Sequence, residues 1–395
     1  MTASDSADLT RWLAGRAHPL AVPDDEDTDG DGVAAWVRAT EGARVVAIGP
    51  AVGGTHELTQ LACRLVEAHA AARAVGTLAL QASESGATAL DDHVRHGTGS
   101  PGDALERLGS WSWNCREVLD LVRRLAEDSP VPVVGIDPRR PANAVRVVGA
   151  YLRTAAPDTL AREADALADL ALGHGDAATR AAVERVCARL EENVPALVAA
   201  TSPTQHAEAV RHAGFLLRAA ELAATPDARR DTVATRLMAD AVLAAEEGGG
   251  PVVLWAHADH VVVRPETLGA RLRERLGDGY RALLLSAGSG STRALRRRRF
   301  VGPTRTPKTH RFPAAPASSL EGTVLAACPR DSLLDLTGTD RPAAATAWAG
   351  SPTTRRSVGD EVSAAAPVRA FVPCVPASEI DGVAVVSTVH PGRVR

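Results

Sequence analysis

Aromatic side chains are scarce in this chain. Phe, Tyr and Trp make up 3% of its 395 residues, so a core has to be built largely from Ala, Val and Leu. Lysine is scarcer still. Lys308 stands alone and Arg carries almost all the basic charge, a bias that looks like a high-GC genome and excludes lysine-based mechanisms at every other position. The five cysteines, Cys63, Cys115, Cys187, Cys328 and Cys374, show no CxxC spacing. An odd, unclustered set argues for free thiols in a reducing compartment. No apolar run approaches the roughly 18 residues a bilayer span needs. Met1-Thr2-Ala3-Ser4-Asp5 lacks the basic and apolar regions of a signal peptide, so a cytoplasmic location and no membrane partner are expected. A net charge of -4 gives no global reason to expect nucleic acid as a partner.

What is present is an ordered alternation. Short apolar runs occur at Arg44-Val45-Val46-Ala47-Ile48, Val75-Gly76-Thr77-Leu78-Ala79-Leu80, Val131-Pro132-Val133-Val134-Gly135-Ile136, Pro251-Val252-Val253-Leu254-Trp255, Ala282-Leu283-Leu284-Leu285 and Val383-Ala384-Val385-Val386. Most are followed by a helical pattern, which predicts an α/β fold with a mainly parallel sheet flanked by helices. Pro132 suits a strand start or an edge. Between residues 143 and 248 strand signals vanish and apolar residues recur at helical spacing, as in Leu160, Ala164, Leu167 and Leu170. The expected organisation is therefore residues 1–142 and 249–395 as two parts of one α/β core, with an all-helical insertion over 143–248 forming a wall or lid.

Several motifs fail on chemistry. The acidic run Asp24-Asp25-Glu26-Asp27-Thr28-Asp29-Gly30-Asp31 superficially resembles a calcium loop, but an EF-hand needs a bidentate Glu at its twelfth position. Counted from Asp25 or Asp27, that position holds Trp36 or Arg38. Gly49-Pro50-Ala51-Val52-Gly53-Gly54-Thr55 lies where a P-loop would, without the lysine. Gly288-Ser289-Gly290 lacks the third glycine of a dinucleotide fingerprint. The chain contains neither GxSxG nor HExxH. Arg296-Arg297-Arg298-Arg299 reads as a solvated charge run, with an anionic group as the alternative ligand. No metal site and no cofactor are expected.

The most promising chemistry sits in Trp255-Ala256-His257-Ala258-Asp259-His260. Strand carboxyl ends face the crevice where open α/β sheets bind ligands, and neutral imidazoles there can move protons near pH 7. Two satisfied histidines at a strand end are the plainer alternative.

Taken with Gly54-Thr55-His56-Glu57-Leu58, Trp111-Ser112-Trp113-Asn114-Cys115-Arg116-Glu117, Gly135-Ile136-Asp137, Ser319-Leu320-Glu321-Gly322-Thr323 and Asp381-Gly382-Val383, this segment resembles the erythromycin esterase family over nearly the whole chain. The resemblance implies a deep cleft and a metal-independent hydrolase, in which a histidine activates water against a macrolide lactone. In the family that histidine lies in a loop reading GEaTHG. Aligned without gaps, the loop glutamate becomes Pro50 and the histidine becomes Gly53. The second-strand glutamate becomes Gln81, and the asparagine of WAHNxH becomes Ala258. The Arg-Asp pair that precedes Met238-Ala239 in the family is also lost.

Pro and Gly accept no proton, and Gln is no general base. The surviving candidates are His257 as acid or base, Asp137 or Glu57 as its orienting partner, and His260 as a second proton shuttle. Gly53, Gln81, Trp111, Trp113 and Asp259 are expected to line the substrate pocket, with the strand ends of Gln81, Asp137 and His257 converging. His56 is a substitute base only if it does not face solvent at its helix start. Three readings stay open. One is a repurposed enzyme performing cyclisation, elimination or acyl transfer on a natural product in an actinomycete-like host. Another is a pseudoenzyme that binds a small molecule or a partner. The third is a conventional esterase acting through His56. The oligomeric state is left open.

Overall fold

Val45, Val46, Ala47 and Ile48 point alternately to the two faces of a strand, yet all four are buried. Only a strand covered on both sides accommodates such a run. In the computed structural model this strand, Val45–Pro50, pairs in parallel with Val252–Trp255 on one side and Tyr280–Arg298 on the other. The described residues are 3–20, 32–72, 74–298, 302–303, 306–338, 340–363 and 371–395. The acidic run 24–31 and Arg299 lie outside them.

The chain divides into two compact units. The first comprises Met1–Leu78, Trp111–Pro132 and Ala245–Arg395 and holds a mixed sheet. Gly382–Val389 continues the parallel set beyond Tyr280–Arg298. Ser332–Asp335 then pairs antiparallel to Gly382–Val389, and Ala17–Pro19 antiparallel to Ser332–Asp335. The strand Tyr280–Arg298 is far longer than its apolar run. Its second half leaves the sheet core and pairs with Lys308–Phe312 and Glu361–Ser363. Gly288 and Gly290 lie inside this strand, with Gly290 at φ +131°, so they form no phosphate loop. Arg296 and Arg297 are exposed near its end, and Arg297 meets Glu361 at 3.4 Å.

With few aromatics available, each large ring needs dedicated space. Trp36 is 1% exposed, and a Cβ on Gly382 would lie 2.4 Å from its ring. Glycine at that position is therefore a packing requirement. One residue earlier, Asp381 ties the start of the last strand to its neighbour. Its Oδ2 accepts from the Ala282 amide at 2.7 Å and from Arg273 at 2.6 Å.

The second unit comprises Ala79–Ser110 and Val133–Ala244. From Ala142 to Gly249 every described element is a helix. Val148, Leu152, Leu167, Leu170, Val183, Val186 and Leu216 form a core of aliphatic side chains. The inward face of the helix Pro157–Ala171 differs by one residue from the apolar spacing. Ala164 is exposed and Glu163 is buried, its carboxylate held by both Nε and Nη2 of Arg185 at 2.8 and 2.7 Å. A two-point pair of this kind lets a carboxylate occupy a position that hydrophobicity alone assigns to a neighbour.

Tyr280 is fully buried and donates its hydroxyl proton to the Val261 carbonyl at 2.6 Å. Tyr280→Phe keeps the ring but removes the donor. The expected loss is about 1–3 kcal/mol, seen as a lower denaturant midpoint at unchanged slope. An unchanged midpoint would show that this bond contributes nothing.

Candidate functional site

The turn between the strand Val45–Pro50 and the helix His56–Ala71 is tightly framed within the first unit. Gly54 has φ +63°, and a Cβ there would lie 2.2 Å from the Arg293 carbonyl and 2.7 Å from the Trp111 ring. Only glycine meets both conditions. Gly53 donates its amide to the Val358 carbonyl at 2.9 Å, and Thr292 Oγ1 donates to the Gly53 carbonyl. A Cβ on Gly53 would come within 2.8 Å of Asp360 Oδ1. Asp360 is itself held by the Ser112 hydroxyl at 2.7 Å. The place where a residue-53 side chain would begin is thus met by the Asp360 carboxylate.

His56, the first residue of the helix, does not face solvent. Its side chain is 14% exposed, and Nδ1 lies 2.5 Å from Glu117 Oε1, on a side chain 4% exposed. The same carboxylate oxygen accepts the Arg393 amide at 3.1 Å, while Glu117 Oε2 is buried with no partner among the described residues. When Nδ1 carries the proton shared with Glu117, the lone pair lies on Nε2, the arrangement of a carboxylate-oriented base. Glu57 points elsewhere, its two oxygens accepting from the His390 amide at 2.7 Å and from the His390 ring at 2.6 Å.

His257 caps the short helix Ala258–Val261. Its Nδ1 accepts the Asp259 amide at 3.2 Å, and its Nε2 faces the Val358 carbonyl at 3.4 Å. With a proton on Nε2 the ring is engaged at both nitrogens. Asp259 receives Arg355 at 2.7 Å and the Ser357 hydroxyl at 2.6 Å. Burial works against its charge, but His257, Ser357 and Arg355 outweigh it and hold the carboxyl below the usual aspartate range. His260 lies in the same helix and is half-buried. Trp113, 9% exposed, meets Trp255 edge to face with centroids 5.0 Å apart, while Trp111 stands over Gly54.

Gln81 and Asp137 belong to the second unit, on the strands Thr77–Ser83 and Val133–Asp137. Asp137 Oδ1 accepts the Arg139 amide at 3.0 Å and lies 3.6 Å from its guanidinium. Beside it stands Glu84, which donates its amide to the Asp137 carbonyl at 3.3 Å. The Glu84 side chain is 4% exposed and meets Arg218 at 2.7 Å, and its second oxygen is buried without a partner among the described residues. Burial pushes this carboxyl up to about 7, with Arg218 opposing and Asp137 adding to the rise.

Folded Glu84 therefore binds a proton up to about pH 7, whereas an unfolded glutamate releases it near about pH 4.3. The native state holds more protons between these limits, so stability falls as pH rises through them. The variant Glu84→Gln should melt close to the parent at pH 5 and above it at pH 8, by an amount on the order of 3 kcal/mol. The same difference at both pH values would show that Glu84 is ionised throughout.

Sequence reasoning missed Glu84, Glu117, Arg355, Ser357 and Asp360. Glu84 lay one residue beyond a strand end, the position that singled out His257. Glu117 stood inside the quoted tryptophan-rich segment. Nothing local marked the other three, which reach the site from a distant part of the chain. Among the described residues no group of three His, Cys, Asp or Glu side chains could hold a metal ion. No described helix is long and apolar enough to cross a membrane.

Three solved structures share this fold. A Bacillus cereus protein is 19% identical over 99% of both chains with a TM-score of 0.77. A succinoglycan biosynthesis protein is 16% identical over 100% of both, with a TM-score of 0.79. A point mutant of the erythromycin esterase EreC in its open conformation is 16% identical over 90% of this chain and 93% of its own, with a TM-score of 0.64. No curated protein matches the chain. The sequence pattern described as erythromycin esterase matches residues 73–389. That match starts beyond the loop closed at Gly53 and takes in well over half of the sequence, so the chain belongs to the erythromycin esterase family.

Proposed function

We propose that this protein is a repurposed member of the family. It performs acid–base chemistry on a small natural product, by cyclisation, elimination or acyl transfer, without the loop histidine that activates water. His56 is the proton-transferring group and Glu117 orients it. The observation that carries this reading is the 2.5 Å contact between His56 Nδ1 and the buried Glu117 carboxylate. A carboxylate that fixes the tautomer and stabilises the developing imidazolium leaves Nε2 to take or give a proton. The filled space at Gly53 supports departure from the family's own mechanism.

A second reading, a pseudoenzyme that binds a small molecule, has its own support. His257 is engaged at both ring nitrogens, and Asp259 is taken up by Arg355 and Ser357. In that reading these groups are scaffold.

Purified protein should leave erythromycin intact at the rate of a buffer control. Gly53→His should not restore opening, because the new side chain has to displace Asp360 while Pro50 still stiffens the loop. For the native function, extracts of strains carrying the wild-type gene, a deletion, His56→Ala or Glu117→Gln should be compared. The deletion and His56→Ala should lose the same metabolite, consistent with the 10²–10⁴-fold cost, roughly, of removing a base. A normal metabolite profile with His56→Ala would favour the pseudoenzyme. Macrolide opening by the wild type that His56→Ala abolishes would instead make the protein a conventional esterase.

A further inference from the structure

The first unit contains a cavity of about 170 Å³ whose walls include Gly54, Trp111, Asn114, Cys115, Arg293 and Arg393. Its charge is one-sided, for among the described residues two arginines line it and no Asp or Glu does. Among the described residues no carboxylate pairs with the Arg293 guanidinium. Outside its strand pairing the Arg293 backbone donates its amide to the Gly54 carbonyl at 3.0 Å and accepts the Thr292 hydroxyl at 3.1 Å, while the guanidinium Nε is buried without a partner among the described residues. The nearby acids are committed elsewhere: Asp360 accepts from Ser112, and Glu117 accepts from His56 and the Arg393 amide. Cys115 is no nucleophile, since burial pushes its thiol up to about 12.

An unpaired guanidinium and an indole lining one cavity suit a planar anion, with a carboxylate on the arginine fork and a ring against the tryptophan. Size sets the class further. An apolar cavity of about 150 Å³ admits benzene, so 170 Å³ leaves room for one ring with a small substituent. The segment 391–394 closes one wall. Gly392 donates to the Gly54 carbonyl at 2.9 Å, and the Arg116 amide donates to the Arg393 carbonyl at 3.0 Å.

We infer that this cavity binds a small ring carboxylate, with Arg293 as its anion partner and Trp111 as its stacking wall. The site does not depend on His56 acting as a base, although Cys115 and Arg393 lie beside that pair.

The test uses the full chain and benzoate, followed by ligand-observed magnetic resonance and calorimetry at pH 7. Benzoate should bind saturably in the millimolar range or better, and inorganic phosphate and benzyl alcohol each about tenfold more weakly or less. Arg293→Gln and Trp111→Leu should each weaken benzoate by about tenfold with the far-ultraviolet dichroism unchanged, a factor corresponding to about 1.4 kcal/mol. His56→Ala should bind benzoate as the wild type does, which separates this site from the acid–base reading. The comparison with benzyl alcohol needs no variant and stands if a substitution unfolds the protein. Absence of saturable benzoate binding, equal binding of benzyl alcohol or phosphate, or full affinity in a folded Arg293→Gln would overturn the assignment.

Discussion

Residues 357–360 lie against the first loop and hold most of the surrounding groups in place. The Val358 amide donates to the Ala51 carbonyl at 2.7 Å, and the Val358 carbonyl accepts from Gly53 at 2.9 Å. This backbone pairing brings Asp360 to Gly53 and puts the Val358 carbonyl within reach of His257. It also delivers Ser357 to Asp259. Beyond the loop, the Asp360 carbonyl accepts the Leu295 amide at 2.8 Å and so fastens the segment to the long strand. A Cβ at residue 53 would have to displace the Asp360 carboxylate, whose Oδ1 would lie 2.8 Å away.

The closure changes what the nearby histidines can do. His257, the natural candidate from its place at a strand end, is used as a helix cap and its ring is satisfied locally. His56 sits three residues after Gly53, on the first turn of the following helix. There it meets a carboxylate buried so deeply that protein groups supply its partners. A histidine with one nitrogen fixed by a buried glutamate is organised for proton transfer.

The six apolar runs were legible because a strand covered on both faces must be apolar throughout, and each run coincides with a strand. Ala17–Pro19 and Lys308–Phe312 were not, since they carry few buried residues, and Ser332–Asp335 was not, since its apolar run is only Leu333-Leu334. The length of Tyr280–Arg298 was hidden for a related reason. Its second half is polar and is held by backbone pairing to Lys308–Phe312 and to the distant Glu361–Ser363. The departures expected at Pro50, Gly53 and Gln81 rest on the family resemblance alone. The pairing of His56 with Glu117 was not legible, because the two residues are far apart in sequence and neither spacing nor composition joins them. Glu84 was within reach of the reasoning applied to His257, but its burial depends on Arg218 from a helix more than a hundred residues later.

The most direct measurement of the central claim is the tautomeric state of His56, from proton–nitrogen correlation spectra of histidine side chains near pH 7. The account predicts a His56 ring protonated on Nδ1 and bare on Nε2, with a low-field Nδ1 proton that disappears in Glu117→Gln. A His56 ring protonated on Nε2, or a spectrum unaltered by Glu117→Gln, would contradict it.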